Sequence, residues 1–169
     1  MDDSELRSFI QDDYPRLVGA VALVTGSLPT AEDAVQEACV RAWERLDRGE
    51  SIERLGAWIA TVSLNLSRSA LRRVVSERRA RARFGLPRPV PAPSTDTIDV
   101  KRALSVLPRR QREAIVLRYF LDFTPAEVAQ TMHTSEGTVK SQLAKARSHL
   151  ADALALRDEP NQEANHAER

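Results

Sequence analysis

The chain has 169 residues, 42% hydrophobic but only 5% aromatic, and 25 lysines and arginines against 24 aspartates and glutamates, for a net charge of +1. That length holds one domain or two small ones, and a single cysteine, Cys39, excludes an internal disulfide. No apolar run approaches the ~20 residues of a membrane span, and the acidic start MDDSELRSFIQDD lacks the cationic and then apolar pattern of a secretion signal. The expectation is a cytoplasmic protein with no membrane insertion.

Low glycine content and few β-branched runs predict an all-α fold. Residues 4–26 read as two helices broken near Tyr14-Pro15, with Leu6, Phe9, Ile10, Leu17, Val18, Val21 and Val24 inward. Thr30 with Glu32 and Asp33 reads as the cap and acidic first turn of a third helix reaching about Leu46. Its inner face is Ala34, Val35, Ala38, Cys39, Ala42, Trp43 and Leu46. Asp33, Gln36, Glu37 and Arg41 lie on a charged outer face, which by itself reads as solvated. Residues 47–51 form a loop, with Ser51 expected to cap the next helix. That helix turns Leu55, Trp58, Ile59, Val62 and Leu66 inward and runs to about Val75. Beside this stripe lies a polar one of Thr61, Asn65, Arg68 and Arg72. It fits either a satisfied structural asparagine or a base-reading asparagine with phosphate-binding arginines beside it.

Residues 76–98 change character. SERRARAR passes into PRPVPAPSTDT, which holds four of the nine prolines and predicts an extended, semi-rigid linker over 77–98. The expected organisation is therefore a helical domain 1–76, the linker, a helical domain 99–156 and a disordered tail 157–169. Charge is clustered: eight arginines and one acid, Glu77, lie between Arg68 and Arg88. Clustering matters more than the sum for binding a polyanion.

After the linker come a helix near 98–106 and a helix opened by Pro108 and reaching Phe120, with Ile115, Val116, Tyr119, Phe120, Leu121 and Phe123 as core. TPAEVAQTMHTSEGTVKSQLAKARSHL (Thr124–Leu150) reads as two helices around a tight turn. Thr124, Pro125 and Glu127 make a capping box with proline in the first turn. His133 falls where such turns want a left-handed residue. Thr134 or Ser135 caps the second helix, whose inner stripe is Val139, Leu143, Ala146, Leu150 and Leu154. Ala129 and Val139, ten positions apart, are the small and apolar pair of a helix-turn-helix crossing. Lys140, Ser141, Ala144, Lys145 and Ser148 face the other way, small enough to enter a groove and carrying two cations. A plain helical hairpin with a solvated basic face has the same pattern.

Catalytic and metal constellations are missing from the sequence. His133, His149 and His166 lack ligand spacing, and no glycine-rich phosphate loop occurs. No enzyme activity, metal or cofactor is expected.

Taken in this order, the motifs resemble a sigma factor of bacterial RNA polymerase, of the extracytoplasmic-function (ECF) group, over about residues 5–154. Ala31–Trp43 is similar to the family segment that docks on the clamp helices of the largest polymerase subunit, which implies core binding by Asp33, Gln36, Glu37 and Arg41. Asp47–Ser51 is similar to the loop that holds a flipped-out base of the −10 element, implying Arg48, Gly49, Glu50 and Ser51. Asn65, with Trp58 in a W-(x6)-N spacing, would share that readout, and Arg68, Arg72 and Arg73 would face the melted strand. Leu107–Phe120 and Gly137–Arg147 resemble the domain that reads the −35 element as duplex. By that resemblance Lys140, Ser141, Ala144 and Lys145 touch bases or phosphates, Arg147 touches the backbone, and Arg109, Arg110 and Arg112 add phosphate contacts. Gln142 departs from the arginine common there. The implied partners are core RNA polymerase through its clamp helices and flap region, promoter DNA, and an anti-sigma protein as a candidate. The rival readings are a helix-turn-helix regulator binding an operator as a homodimer, and an adaptor making only protein contacts.

Overall fold

The computed structural model describes residues 3–83 and 98–158, which are helical apart from short connections. The chain divides into two compact units, Met1–Ser94 and Thr95–Arg169.

The first unit contains α1 (Asp3–Asp12), α2 (Tyr14–Thr25), α3 (Leu28–Asp47) and α4 (Leu55–Arg83). Pro15 sits in the first turn of α2, where its missing N–H costs nothing, and Asp13 is the cap residue. Gly26 ends α2 in the left-handed region, at φ 74°, and donates its N–H to the Ala22 carbonyl. The cap of α3 is Ser27, not Thr30: the Thr30 N–H donates to Ser27 Oγ at 3.3 Å, and the Thr30 hydroxyl bonds the same oxygen at 2.9 Å. Pro29 fixes that earlier start by fitting the first turn of the helix.

The core of this unit joins Leu6, Phe9, Leu17, Val18, Val21 and Val24 to a mostly alanine stripe on α3, Ala31, Ala34, Val35, Ala38 and Ala42. Small residues there let the helices approach closely. Cys39 lies in the same stripe, and burial raises its thiol pKa, so it packs as a small apolar group. Two expected core residues are outside: Ile10 is 46% exposed and Trp43 is 50% exposed. On α4 the buried face is Leu55, Ile59, Ala60, Ser63, Leu64 and Ser67, while Trp58, Val62 and Leu66 are only half-buried. The serines can be buried because each donates to the carbonyl one turn back, Ser63 to Ile59 at 2.7 Å and Ser67 to Ser63 at 2.8 Å. Helix α4 also continues past Val75 to Arg83, so the first part of the predicted linker is helical. The rest of that linker, 84–97, and the tail 159–169 lie outside the described residues.

The second unit contains α5 (Ile98–Ser105), α6 (Arg109–Ile115), a π-helical turn (Val116–Phe120), α7 (Pro125–Thr131) and α8 (Glu136–Asp158). Pro108 is the cap of α6. In the π turn the Leu121 N–H reaches the Val116 carbonyl at 3.2 Å, one residue further than an α-helix allows. That extra residue rotates the side chains that follow. Leu117 is fully buried, Tyr119 is 50% exposed, and Phe120 and Leu121 are only half-buried. Leu104, Leu107, Ile115, Val116, Phe123, Val128, Met132, Val139, Leu143 and Ala146 complete the core.

The capping box of α7 is closed in both directions. The Glu127 N–H donates to Thr124 Oγ1 at 3.3 Å, and the Thr124 N–H donates to Glu127 Oε2 at 2.8 Å. His133 takes the left-handed turn position at φ 51°, and Ser135 caps α8 by accepting from the Thr138 N–H at 3.2 Å. Ala129 and Val139 are both buried at the crossing. His133 is exposed and pays for its backbone conformation without a packing return. His133→Gly is therefore expected to stabilise this unit by about 0.5–1 kcal/mol, the relief of left-handed strain exceeding the entropy glycine adds to the unfolded chain. A urea titration of the variant checks this, with the midpoint expected to rise.

Candidate nucleic-acid interface

Helix α8 presents two unlike faces. Val139, Leu143 and Ala146 are buried, whereas Lys140, Ser141, Ala144, Lys145, Arg147 and Ser148 are exposed. Gln142 is half-buried at the edge. The exposed face combines small residues with cations on a rigid rod, which suits close approach to a groove lined by phosphates.

The three arginines of α6 differ from one another. Arg109 is exposed and open to a phosphate. Arg110 Nη1 donates to the Met132 carbonyl at 2.9 Å, at the helix-turn-helix turn. Arg112 turns inward: its guanidinium donates to the carbonyls of Leu104 at 2.9 Å, Leu107 at 3.1 Å and Ser105 at 3.3 Å. Its partial burial lowers its pKa, although an arginine stays protonated. Arg112, expected to contact phosphate, instead holds the end of α5. Gln111, beside Arg110, meets His149 of α8, with Oε1 and Nδ1 2.8 Å apart.

In the first unit, the loop between α3 and α4 is braced at several points. Gly49 is left-handed, at φ 77°, and the N–H groups of Gly49 and Glu50 return to the carbonyls of Leu46 and Arg45. The Glu50 carboxylate lies between two cations, 2.8 Å from Arg45 Nε and 3.1 Å from Arg48 Nε. The guanidinium of Arg45 also lies over the Trp58 ring, 5.8 Å from its centroid. Ile52 is buried and pins the far side of the loop. Ser51 does not cap α4, which begins only at Leu55; it remains exposed in the loop with Arg48, Gly49 and Glu50. Arg45, Trp58 and Ile52 were missed as loop supports. Ile52, an apolar residue amid polar ones, was the available signal.

The W-(x6)-N spacing now has a geometry. Seven residues make almost two full helical turns, so Trp58 and Asn65 share a face of α4, about 10 Å apart along its axis. Thr61, Arg68 and Arg72 fall on the same stripe. Asn65 is half-buried and accepts at Oδ1 from Arg68 Nη1 at 2.6 Å, which orients its amide N–H2 group as a donor. Arg72 and Arg73 are exposed beyond it, Arg72 donating to Ser69 Oγ at 3.0 Å. The braced loop and the oriented asparagine therefore follow one line.

On α3, Asp33, Gln36, Glu37 and Arg41 are all exposed, with Arg41 Nε 2.8 Å from Glu37 Oε1. Val40 and Trp43, each about half exposed, join that outer surface. An exposed ion pair of this kind contributes under about 1 kcal/mol to stability. Among the described residues no cluster of histidine, cysteine or carboxylate side chains could hold a metal, and no helix is long and apolar enough to cross a membrane.

The model of sigma-70 region 2 matches residues 9–77, and that of sigma-70 region 4 matches residues 97–150. The ECF RNA polymerase sigma factor EcfG of Rhodopseudomonas palustris is 30% identical over 153 residues, covering 88% of this chain and 84% of that protein. RfaY of Xanthomonas campestris, a probable RNA polymerase sigma factor, is also 30% identical, but the chain spans only 38% of its length. Among solved structures, the sigma factor RpoE crystallised with the anti-sigma factor NepR from Bartonella quintana superposes with a TM-score of 0.70 at 28% identity, covering 92% of this chain and 98% of that one. With each sigma region matched in its own unit and a named relative matched along most of both sequences, the chain belongs to the ECF family of RNA polymerase sigma factors.

Proposed function

We propose that the two units divide promoter recognition between them, α8 reading the −35 element as duplex and the braced loop with Asn65 holding a flipped-out base of the −10 element. What supports this most is the alignment in the first unit. The loop Arg48–Ser51 is anchored through Arg45 to Trp58, and Asn65 lies two turns further along the same face with its amide already oriented. Unstacking a base costs a few kcal/mol. A preformed pocket and the neighbouring arginines offset that cost, because little ordering is left to be done on binding.

The chain does no chemistry of its own in this reading; polymerisation belongs to the core enzyme, and the protein works with it in the cytoplasm. The α3 face carrying Asp33, Gln36, Glu37 and Arg41 is the surface proposed for the polymerase clamp helices, and the second unit the one for the flap region. RpoE was crystallised with an anti-sigma factor, and a partner of that class is proposed for this chain too.

Transcription by purified core RNA polymerase on promoter templates selected from a random pool tests the reading. The full chain is expected to confer start-site selection, and failure on every selected template removes the proposal. Asn65→Ala is expected to slow open-complex formation at least tenfold, about 1.4 kcal/mol, while leaving duplex binding within a factor of about two. Permanganate footprinting of melted thymines separates the two steps; unchanged melting removes Asn65 from base capture. Asp33→Ala combined with Glu37→Ala is expected to weaken association with core by about 1–2 kcal/mol without a change in melting temperature, since both side chains are exposed. Titration of labelled chain with core polymerase measures it, and an unchanged Kd returns that face to solvent.

A further inference from the structure

We infer that the first turn of α6 is a mount for the recognition helix, and that Arg110 is a positioning residue for −35 readout rather than a phosphate contact. This rests on the reading of α8 given above. A helix ends with carbonyls that have no N–H to receive, and one such group left unpaired at a turn lets the turn shift. At the end of α7, the Ala129 carbonyl receives Thr134 N–H at 2.9 Å and the Gln130 carbonyl receives His133 N–H at 3.2 Å. The Met132 carbonyl, immediately before the left-handed His133, receives Arg110 Nη1 at 2.9 Å from 22 residues away in sequence. A cation there also complements the negative end of the α7 dipole.

The next residue makes a second tie. Gln111 is buried and reaches His149, which lies beyond Lys145 and Arg147 on α8. Two consecutive residues of one short helix thus hold the chain on either side of the proposed reading face, one at the turn before α8 and one within α8. Base readout depends on side chains placed within a fraction of an ångström. A fixed turn sets the angle at which Lys140, Ser141, Ala144 and Lys145 meet the groove.

Arg110→Ala and Arg110→Gln in the full chain, assembled with core polymerase, test the assignment. The probes are a promoter duplex selected by the wild-type holoenzyme and the same duplex with its −35 base pairs scrambled, each titrated at several salt concentrations. Arg110→Ala is expected to lower the ratio of selected to scrambled affinity about tenfold. Arg110→Gln, which keeps an N–H donor but no charge, is expected to recover most of that ratio. Neither variant is expected to change the slope of log K against log salt. A slope smaller by about one in both variants, with the ratio unchanged, would show a phosphate contact and overturn the inference. Two variants that match the wild type in ratio and slope overturn it as well. Both measurements are made well below the melting temperature, so a loss of stability alone leaves the ratio where it was. A wild-type ratio of one instead overturns the reading of α8 itself, and the mount with it.

Discussion

Replacing Lys140 and Lys145 together by alanine is expected to lower affinity for a −35 duplex by about 2–6 kcal/mol, the sum of two contacts of ~1–3 kcal/mol each. Both side chains stand on the exposed face of α8, backed by the fully buried Val139 and Ala146. The substitution therefore leaves the packing intact, and the stability change should stay within about 0.5 kcal/mol. The two possible roles separate by salt and sequence. If either lysine reads base acceptors, the preferred promoter sequence broadens at one or two positions. If both only neutralise phosphates, every duplex weakens alike and the salt slope falls by about two. Binding curves on selected and scrambled duplexes at several salt concentrations measure both. Affinity unchanged on every duplex would remove α8 from DNA recognition.

Arg112→Ala is expected to act in the opposite way, destabilising the second unit by about 2–3 kcal/mol and leaving the salt slope unchanged. The guanidinium closes three carbonyls around the end of α5, those of Leu104, Ser105 and Leu107, and both leucines are buried beneath it. Hydrogen bonds from a charged donor contribute about 1.5–3 kcal/mol, and the abandoned carbonyls add the cost of being left unpaired. Small domains have only a few kcal/mol in reserve, so this is a large share of the total. Arg112→Lys is expected to recover little, because a single ammonium does not span three acceptors as a planar fork does. Urea unfolding followed by amide exchange in the second unit reports the loss. A smaller salt slope with no loss of stability would return Arg112 to the DNA surface.

What could be read from the sequence was what is local. The capping box at Thr124 and Glu127, the Ser135 cap and the Ala129–Val139 spacing each involve residues within a few turns of one another, and all form. The outward set on α8 followed from helical periodicity alone. The buried face of α4 was misread for a physical reason. Ser63 and Ser67 satisfy their own hydroxyls on the carbonyls one turn back and so pack as small residues, while the larger apolar Trp58 and Val62 lie towards the edge. Trp58 has a use there, beneath Arg45 at the root of the loop. The roles of Arg110 and Arg112 left no trace in the pattern, because their acceptors are main-chain carbonyls, which every residue carries.

The π turn at Val116–Phe120 sets the phase of everything after it. It closes with the Leu121 N–H on the Val116 carbonyl and the Phe123 N–H on the Leu117 carbonyl, followed by Asp122 at φ 56°. Deleting one residue from it would restore ordinary α geometry and swing the continuing chain by about 100°. Phe123 and Val128 would then leave their seats, and the lysines would be aimed away from any groove the rest of the unit could straddle. In this stretch a one-residue gap is therefore costlier than almost any change of side chain.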